Sequence, residues 1–440
     1  MNAKIFRLAL LTMVIMLCPA YWAAAAGDGH AAPAAAPPML LEDLIKEGLQ
    51  NSPELKMYKA GAQAATHKIP QVKSLPDPVF MFGYQNEGWS RYTLGEFQGS
   101  QWIFSATQAF PFPGKLKLRG EAAGDEAQGA KSSFDSARLN LIAKIQELYY
   151  AVFLDYRDLD ILKDNRTLLN RVEDAALARY SSGQGQQEEV LMVQSEKYML
   201  LEKEQMAKQK LDEDLAAFAS VLGRDSAEGL GRPADEPGRL PGVDKASVLA
   251  GLDASPELKM KKEIVEAARA RLAIARREYY PDFSVTGSVY KRGGEFMDMW
   301  SLTTAVNVPI FYRTKQREGV EEAEAYLEQA TDDLQAARNA LASELAGSVS
   351  VLQSARTISD LDIQVLMAKT REDLEAALAG YVAGKIDETT VVSRFKVHIE
   401  HELTYWQQIV DGYKAASRIA AITGNNPIMV DQSIYQSGGN

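Results

Sequence analysis

Residues 52–57 read Ser-Pro-Glu-Leu-Lys-Met, and residues 255–260 repeat these six amino acids unchanged, 203 positions later. Pro78 and Pro281 keep the same offset. Further along, Tyr180 matches Tyr381, Gly183 matches Gly384 and Gly223 matches Gly424, now at an offset of 201. One shortened loop accounts for the change of offset. The chain therefore contains an internal duplication, and its fold has to be derived for one repeat and then doubled.

Each repeat has the same order of predicted elements: a helix, two strands and two long helices. The strands are expected at about 79–84 and 102–110 in the first repeat, and at about 283–290 and 300–308 in the second. Residues 283–290 and 300–308 alternate so that one side is mainly apolar and the other polar, which is the period-two pattern of a strand with one apolar face.

Long helical hairpins are predicted at about 115–222 and 314–422. No proline occurs between Lys115 and Leu177, and apolar residues recur there at three- and four-residue steps. Some sixty helical residues would extend roughly 90 Å, a length typical of a coiled coil rather than of a compact core. The stretch 41–73 is expected to form the helix before the first strand.

The remaining boundaries come from composition. Residues 1–26 read as a cleavable signal peptide, with Lys4 and Arg7 before an apolar run and alanines before Gly27. Residues 27–40 form a flexible leader, 41–224 the first repeat, 225–243 a linker, 244–424 the second repeat and 425–440 a C-terminal tail. The single cysteine, Cys18, leaves lipidation open, although Leu17 and Pro19 fit a lipoprotein signal poorly.

Charge and composition exclude several classes of function. Removal of Lys4 and Arg7 with the signal changes the formal net charge from -11 to -13, which argues against nucleic-acid binding. This acidity fits a solvated surface better than an acidic pore lining. No phosphate-binding loop, nucleophile elbow or zinc-protease motif is present, so the sequence indicates neither an enzyme nor a cofactor.

If these strands lie in a membrane, several chains must share one barrel, because four strands cannot close a barrel alone and the smallest single-chain barrels have about eight. Three copies would supply twelve strands. Aromatic residues near the strand ends fit a membrane-interface girdle, and the core of an ordinary sandwich explains them equally well taken alone. These residues are Trp102, Phe104, Phe110, Tyr279, Tyr280, Phe283 and Trp300.

The paired turns Tyr180-Ser181-Ser182-Gly183 and Tyr381-Val382-Ala383-Gly384 each follow a long helix. Together with residues 75–78, 110–115 and 280–283 at the strand boundaries, they resemble the outer membrane efflux protein family, the TolC-like channels, over residues 41–424. The sequences of residues 76–78 and 111–115 are similar to those of the CusC/CzcC-like branch of the family, which exports metals. Export of drugs or organic solutes is the alternative.

The resemblance implies a mainly α protein with a small β part: a homotrimer with a 12-stranded β-barrel in outer-membrane lipid on a periplasmic α-helical barrel. Its implied partners are a periplasmic adaptor, that is, a membrane fusion protein, and an inner-membrane pump of the RND type. A periplasmic adaptor or a structural coiled-coil envelope protein is the alternative, although neither requires duplicated strands.

The resemblance also implies a gate at the periplasmic tips, where Tyr381 would be the tying tyrosine and Glu189 its partner. The family's constricting aspartates fall on Thr390 and Ser393 here, and its arginine on Ile386. Asp387 and Glu388 are candidates to replace the acidic ring, but helix capping explains them slightly better. The remaining candidates at the tips are Tyr180, Gly183, Glu188, Gly384 and Lys385.

Two further expectations concern charged side chains. Arg179 and Lys385 are candidates for pairing with acids across the tip, although solvated side chains are the more common outcome. His398 and His401, three residues apart, have a spacing that can hold a metal. Without a further ligand nearby, a solvated helix surface is expected instead, and no metal site is predicted.

Overall fold

The computed structural model describes residues 38–234, 237–361 and 366–424. The signal peptide, Cys18, residues 27–37 of the leader and the tail 425–440 lie outside the described residues. Helices and a small antiparallel sheet make up the described fold, in agreement with the fold class expected from the sequence.

The first repeat contains α1 (Leu41–Asn51), α2 (Pro53–Lys73), β1 (Val79–Gln85), β2 (Gln101–Phe110), α3 (Lys115–Ser181) and α4 (Gln187–Leu222). The second contains α5 (Lys245–Ala250), a 3-10 turn (Gly251–Ala254), α6 (Pro256–Arg277), β3 (Asp282–Lys291), β4 (Met299–Asn307), α7 (Gln316–Leu361), α8 (Met367–Val382) and α9 (Glu388–Thr423).

The stretch expected as one helix over 41–73 is two helices, α1 and α2. Pro53 lacks a backbone N–H and occupies the first position of α2, while the Ser52 hydroxyl accepts a hydrogen bond from Leu55 N at 3.3 Å. The sequence Ser-Pro therefore ends one helix and begins the next, which the periodicity alone does not reveal.

The four strands form one antiparallel sheet in the order β1-β2-β3-β4. The register places Phe82 beside Phe104, Phe104 beside Val289 and Val289 beside Trp300, so these side chains share one face. The neighbouring row contains Ser105, Ser288 and Ser301 and therefore belongs to the opposite face. One face of the sheet is aromatic and aliphatic, and the other is rich in hydroxyl groups.

The turns between helices and strands are held by a buried lysine. Lys115 is 1% exposed, and its Nζ lies 3.0 Å from Glu278 Oε2 and 2.9 Å from Asp282 Oδ1. Asp282 also accepts from Phe112 N at 2.6 Å, and the rings of Phe112 and Tyr280 stack at 4.6 Å. These contacts fix the start of α3 to the start of β3.

Helix α3 has 67 residues and extends about 100 Å from the sheet to its far end. It packs against α2, α4, α6 and α9, and its residues belong to two large buried clusters and to a third, small one. In the smaller of the two large clusters α1 packs against α3 and α4, and the Tyr149 hydroxyl donates to Met39 O at 3.2 Å. The hairpin turns thus lie at the end of the molecule opposite the sheet.

Candidate functional site

The two hairpin turns have the same backbone geometry. Gly183 and Gly384 adopt φ values of 73° and 71°, which glycine reaches without steric cost. Gly183 N donates to Tyr180 O at 3.0 Å, and Gly384 N donates to Tyr381 O at 2.9 Å. Both turns therefore reverse the chain tightly between two helices, and they bring the ends of α3 and α8 close to the starts of α4 and α9.

A hydrogen bond joins the two hairpins at this end. The Tyr381 hydroxyl donates to Glu189 Oε2 at 2.9 Å, and the Tyr381 ring is fully buried. Burial, with the charged carboxylate beside the hydroxyl, raises the pKa of Tyr381 well above its usual range. The phenol therefore stays protonated and serves as a donor.

Arg179 completes the arrangement. Its Nη1 donates to Tyr381 O at 3.0 Å, its Nε lies 3.6 Å from Glu189 Oε2, and its guanidinium carbon lies 4.9 Å from the centre of the Tyr381 ring. Arg179, Glu189 and Tyr381 are called the tip network below. The expectation that Arg179 is solvated is wrong, because the neighbouring hairpin covers its side chain.

Glu189 also has a role within its own helix. Its Oε1 accepts from Gln186 N at 3.0 Å, in a capping box at the start of α4. The Gln186 N–H, the Tyr381 hydroxyl and Arg179 together lower the pKa of Glu189. The carboxylate is therefore ionised at neutral pH, and one side chain both caps α4 and contacts the second hairpin.

The other predicted tip residues lie near the network without joining it. Asp387 caps α9 by accepting from Thr390 N at 2.8 Å, and this hydrogen bonding lowers the pKa of Asp387. Glu388 and Thr390 are half-buried. The remaining side chains or backbone positions are exposed: Tyr180, Gly183, Glu188, Gly384, Lys385 and Ser393.

The sheet presents a second feature, an exposed aromatic face. Phe80 and Trp300 are each 78% exposed, and Leu302 is 69% exposed. The described residues contain no second sheet to cover this face, so the alternative of an ordinary sandwich core is wrong for them. The predicted aromatic residues of the strands all belong to it: Trp102, Phe104, Phe110, Phe283 and Trp300.

Trp102 and Phe110 are half-buried and not fully exposed, because neighbouring rings cover part of each side chain. Trp102 stacks on Phe82 at 5.0 Å, and Phe110 stacks on Phe283 at 5.3 Å. Tyr279 and Tyr280 lie just before β3 and are 39% and 51% exposed. Among the described residues, no helix combines the length and the apolar character needed to cross a membrane.

The histidine pair differs from the expectation of a solvated surface. His398 is buried between α8 and α9, with Nδ1 3.2 Å from Thr370 Oγ1 and Nε2 3.9 Å from Glu402 Oε2. Burial lowers the pKa of His398. No group of three or more His, Cys, Asp or Glu side chains suited to a metal ion occurs in the described ranges.

Sequence reasoning missed a charged cluster inside the first hairpin. Asp155 is 1% exposed, and Lys210 Nζ lies 3.1 Å from its Oδ1. Burial, together with contact with Asp214, raises the pKa of Asp155 to about 7, and burial raises the pKa of Asp158 to about 6. The available signal was the occurrence of aspartates among the apolar residues of α3.

A four-stranded sheet with one exposed apolar face, joined to two long helical hairpins that contact each other through Tyr381 and Glu189, defines the class of protein. A family model described as outer membrane efflux protein matches residues 44–224 and 251–393. The chain therefore belongs to the outer membrane efflux protein family, a family of channel proteins. Comparison with curated protein sequences gave no match.

Solved channel structures share the fold. The outer-membrane channel OprN matches with a TM-score of 0.77 at 15% identity, covering 88% of this chain and 90% of OprN. VceC from Vibrio cholerae matches with a TM-score of 0.75 at 17% identity, covering 88% of this chain and 96% of VceC. CusC matches with a TM-score of 0.73 at 16% identity, covering 88% and 92%.

Proposed function

We propose that the chain is the outer-membrane exit duct of a tripartite efflux system and conducts its substrates passively. The observation that carries this proposal is the four-stranded sheet with one exposed aromatic face and one hydroxyl-rich face. Contact with lipid removes exposed apolar side chains from water, whereas hydroxyl groups are hydrated when they line a water-filled lumen. Membership of the efflux family supports the same role.

The proposed assembly is a homotrimer with a 12-stranded barrel. The outer edges of β1 and β4 have no strand partner among the described residues, and an unpaired edge in lipid would leave backbone groups unsatisfied at several kcal/mol each. β1 of one copy and β4 of the next run in opposite directions, so they can continue the antiparallel ladder. Three copies close the ring.

The proposed gate is the tip network. Arg179 and Glu189 on the first hairpin hold Tyr381 on the second, so separation of the hairpins has to break these contacts. A periplasmic adaptor meeting the tips would supply the free energy for this opening, and an inner-membrane pump, of the RND type by the family resemblance, would deliver the substrate.

Membrane fractionation and bilayer recording test this proposal. We expect a heat-labile trimer in the outer membrane that forms ion-conducting pores in planar bilayers after purification. A water-soluble monomer that never enters a bilayer would refute the proposed duct. Deletion of the gene, followed by growth with copper, zinc or common drugs, would distinguish metal export from export of organic compounds.

A further inference from the structure

The helices next to the sheet follow the order of the strands. α2 leads into β1, α3 follows β2, α6 leads into β3 and α7 follows β4, and neighbouring helices in this series pack together. Within one chain this row of four helices therefore begins with α2 and ends with α7. Among the described residues, α2 packs along α3, and the first half of α7 packs along α6, which leaves one flank of each helix uncovered.

The contact between α3 and α6, called the inner seam below, shows how the two repeats meet inside one chain. Gly129 of α3 is buried there, and a Cβ placed on it would lie 3.5 Å from Glu263 Cβ. On α6, Ala267 is 2% exposed. Small residues thus bring these two antiparallel helices close together.

The same positions in the other copy of the repeat are exposed. Part of the burial pattern of α7 matches that of α3 at an offset of 200. At this offset the half-buried Val320, Ala323 and Leu327 of α7 align with the buried Gly120, Ala123 and Ala127 of α3. Under this offset, the buried α3 residues Lys115, Ala122, Gly129 and Ser132 correspond to Lys315, Glu322, Gln329 and Asp332, all of which are exposed. With the offset of 203, buried Ala267 corresponds to exposed Ala64.

The two uncovered helices carry opposite charge. Helix α2 contains one acid, Glu54, and the basic residues Lys56, Lys59, His67, Lys68 and Lys73. Lys68 pairs with Glu126 of α3 at 2.9 Å, whereas Lys56, Lys59 and His67 form no ion pair with any described residue. The first half of α7 contains Arg317 and Arg338 against Glu318, Glu321, Glu322, Glu324, Glu328, Asp332 and Asp333. Glu322, Glu328 and Asp332 form no ion pair with any described residue, so part of this acidic flank is not neutralised within the chain.

We infer that the acidic flank of α7 in one copy packs against the basic flank of α2 in the next copy, in the geometry of the inner seam. This outer seam rests on the proposed trimer and specifies how its copies meet. Transfer of the contact between Gly129 and Glu263 places Gln329 opposite Ala60. One turn away on one side, Asp332 lies opposite Lys56, and two turns away on the other side, Glu322 lies opposite His67.

A cysteine pair tests this register. In a Cys18→Ser background, Gln329→Cys combined with Ala60→Cys should form a disulfide between copies, because the transferred Cβ separation suits that bond. After mild oxidation, most of the denatured protein should migrate as a covalent trimer that reduction returns to monomer. Each single variant should remain monomeric on the same gel, because a head-to-tail interface never brings identical positions together.

Two matched pairs provide the controls. Gly129→Cys with Glu263→Cys should form a disulfide within one chain, which verifies the inner seam as the template. Thr331→Cys with Ala60→Cys places one cysteine on a different side of α7 and should give no covalent trimer. Equal cross-linking of this second pair would overturn the register.

Failure of the seam and failure of the proposed function give different results. If the pair at positions 329 and 60 stays uncross-linked while the purified protein sediments as a trimer in detergent, the outer seam is wrong and the duct stands. If the protein sediments as a monomer under the same conditions, the trimeric duct is wrong and the seam with it.

Discussion

The substitution Tyr381→Phe removes the hydroxyl from the tip network and leaves the ring in place. The lost hydrogen bond, 2.9 Å long, ends on a charged carboxylate, a type that contributes about 1.5–3 kcal/mol. The lower value applies here, because Glu189 keeps the Gln186 N–H and Arg179 as partners. The remaining ring also preserves its contact with the Arg179 guanidinium.

A loss of about 1.5 kcal/mol raises the ratio of open to closed tips about tenfold for one copy. If the tip networks of all three copies in a trimer open together, the ratio of open to closed channels rises about a thousandfold. Single-channel recording in planar bilayers measures this change as an increase in open probability. Tyr180→Phe is the matched control, because Tyr180 occupies the equivalent position in the first repeat and is 48% exposed.

Acidification provides an independent measurement of the same contact. The pKa of Glu189 is lowered in the folded state, so its contribution is complete above the ordinary value of about 4.5 and is lost as the pH falls through the lowered pKa. Open probability should therefore rise in acid, and Glu189→Gln should abolish that rise. If Tyr381→Phe conducts like the parent and like Tyr180→Phe at neutral pH, the tip network is not a gate.

Three further predictions concern stability and membrane insertion. Asp155→Asn should stabilise the purified protein at pH 8 more than at pH 5 in thermal melts, because a raised pKa means that ionisation of Asp155 weakens the fold as the pH rises from about 4 to about 7. Lys115→Ala should lower the free energy of unfolding by about 2 kcal/mol in denaturant titrations, because it removes the hydrogen bonds that the buried ammonium donates to two partly exposed carboxylates. Lys117→Ala, whose ammonium is exposed, should change it by less than about 0.5 kcal/mol. Leu302→Arg on the aromatic face should cost about 2–4 kcal/mol in lipid and reduce the amount of trimer in outer membranes, whereas Thr303→Arg on the opposite face should leave that amount unchanged.

Local patterns in the sequence determined the type and order of the elements. The duplicated Ser-Pro-Glu-Leu-Lys-Met segment predicted two repeats, and period-two alternation predicted strands close to the observed Asp282–Lys291 and Met299–Asn307. The proline-free stretch after Lys115 predicted the long helix. These features follow from short-range rules of side-chain period and backbone geometry, so they can be derived from the chain without knowledge of its packing.

Contacts across the fold were decided only by the tertiary structure. The sequence assigned Tyr381 and Glu189 to a gate by resemblance, but their separation of 192 residues gives no distance, and Arg179 was expected in solvent. His398 and Asp155 are buried for the same reason, since a helix packed on several sides has no single apolar face to reveal which polar side chains it covers. Packing of one hairpin against the other brings Tyr381 to Arg179 and Glu189, whereas packing of the helices within each hairpin buries Asp155 against Lys210 and His398 against Thr370. Both depend on long-range packing, which short-range patterns in the sequence do not specify.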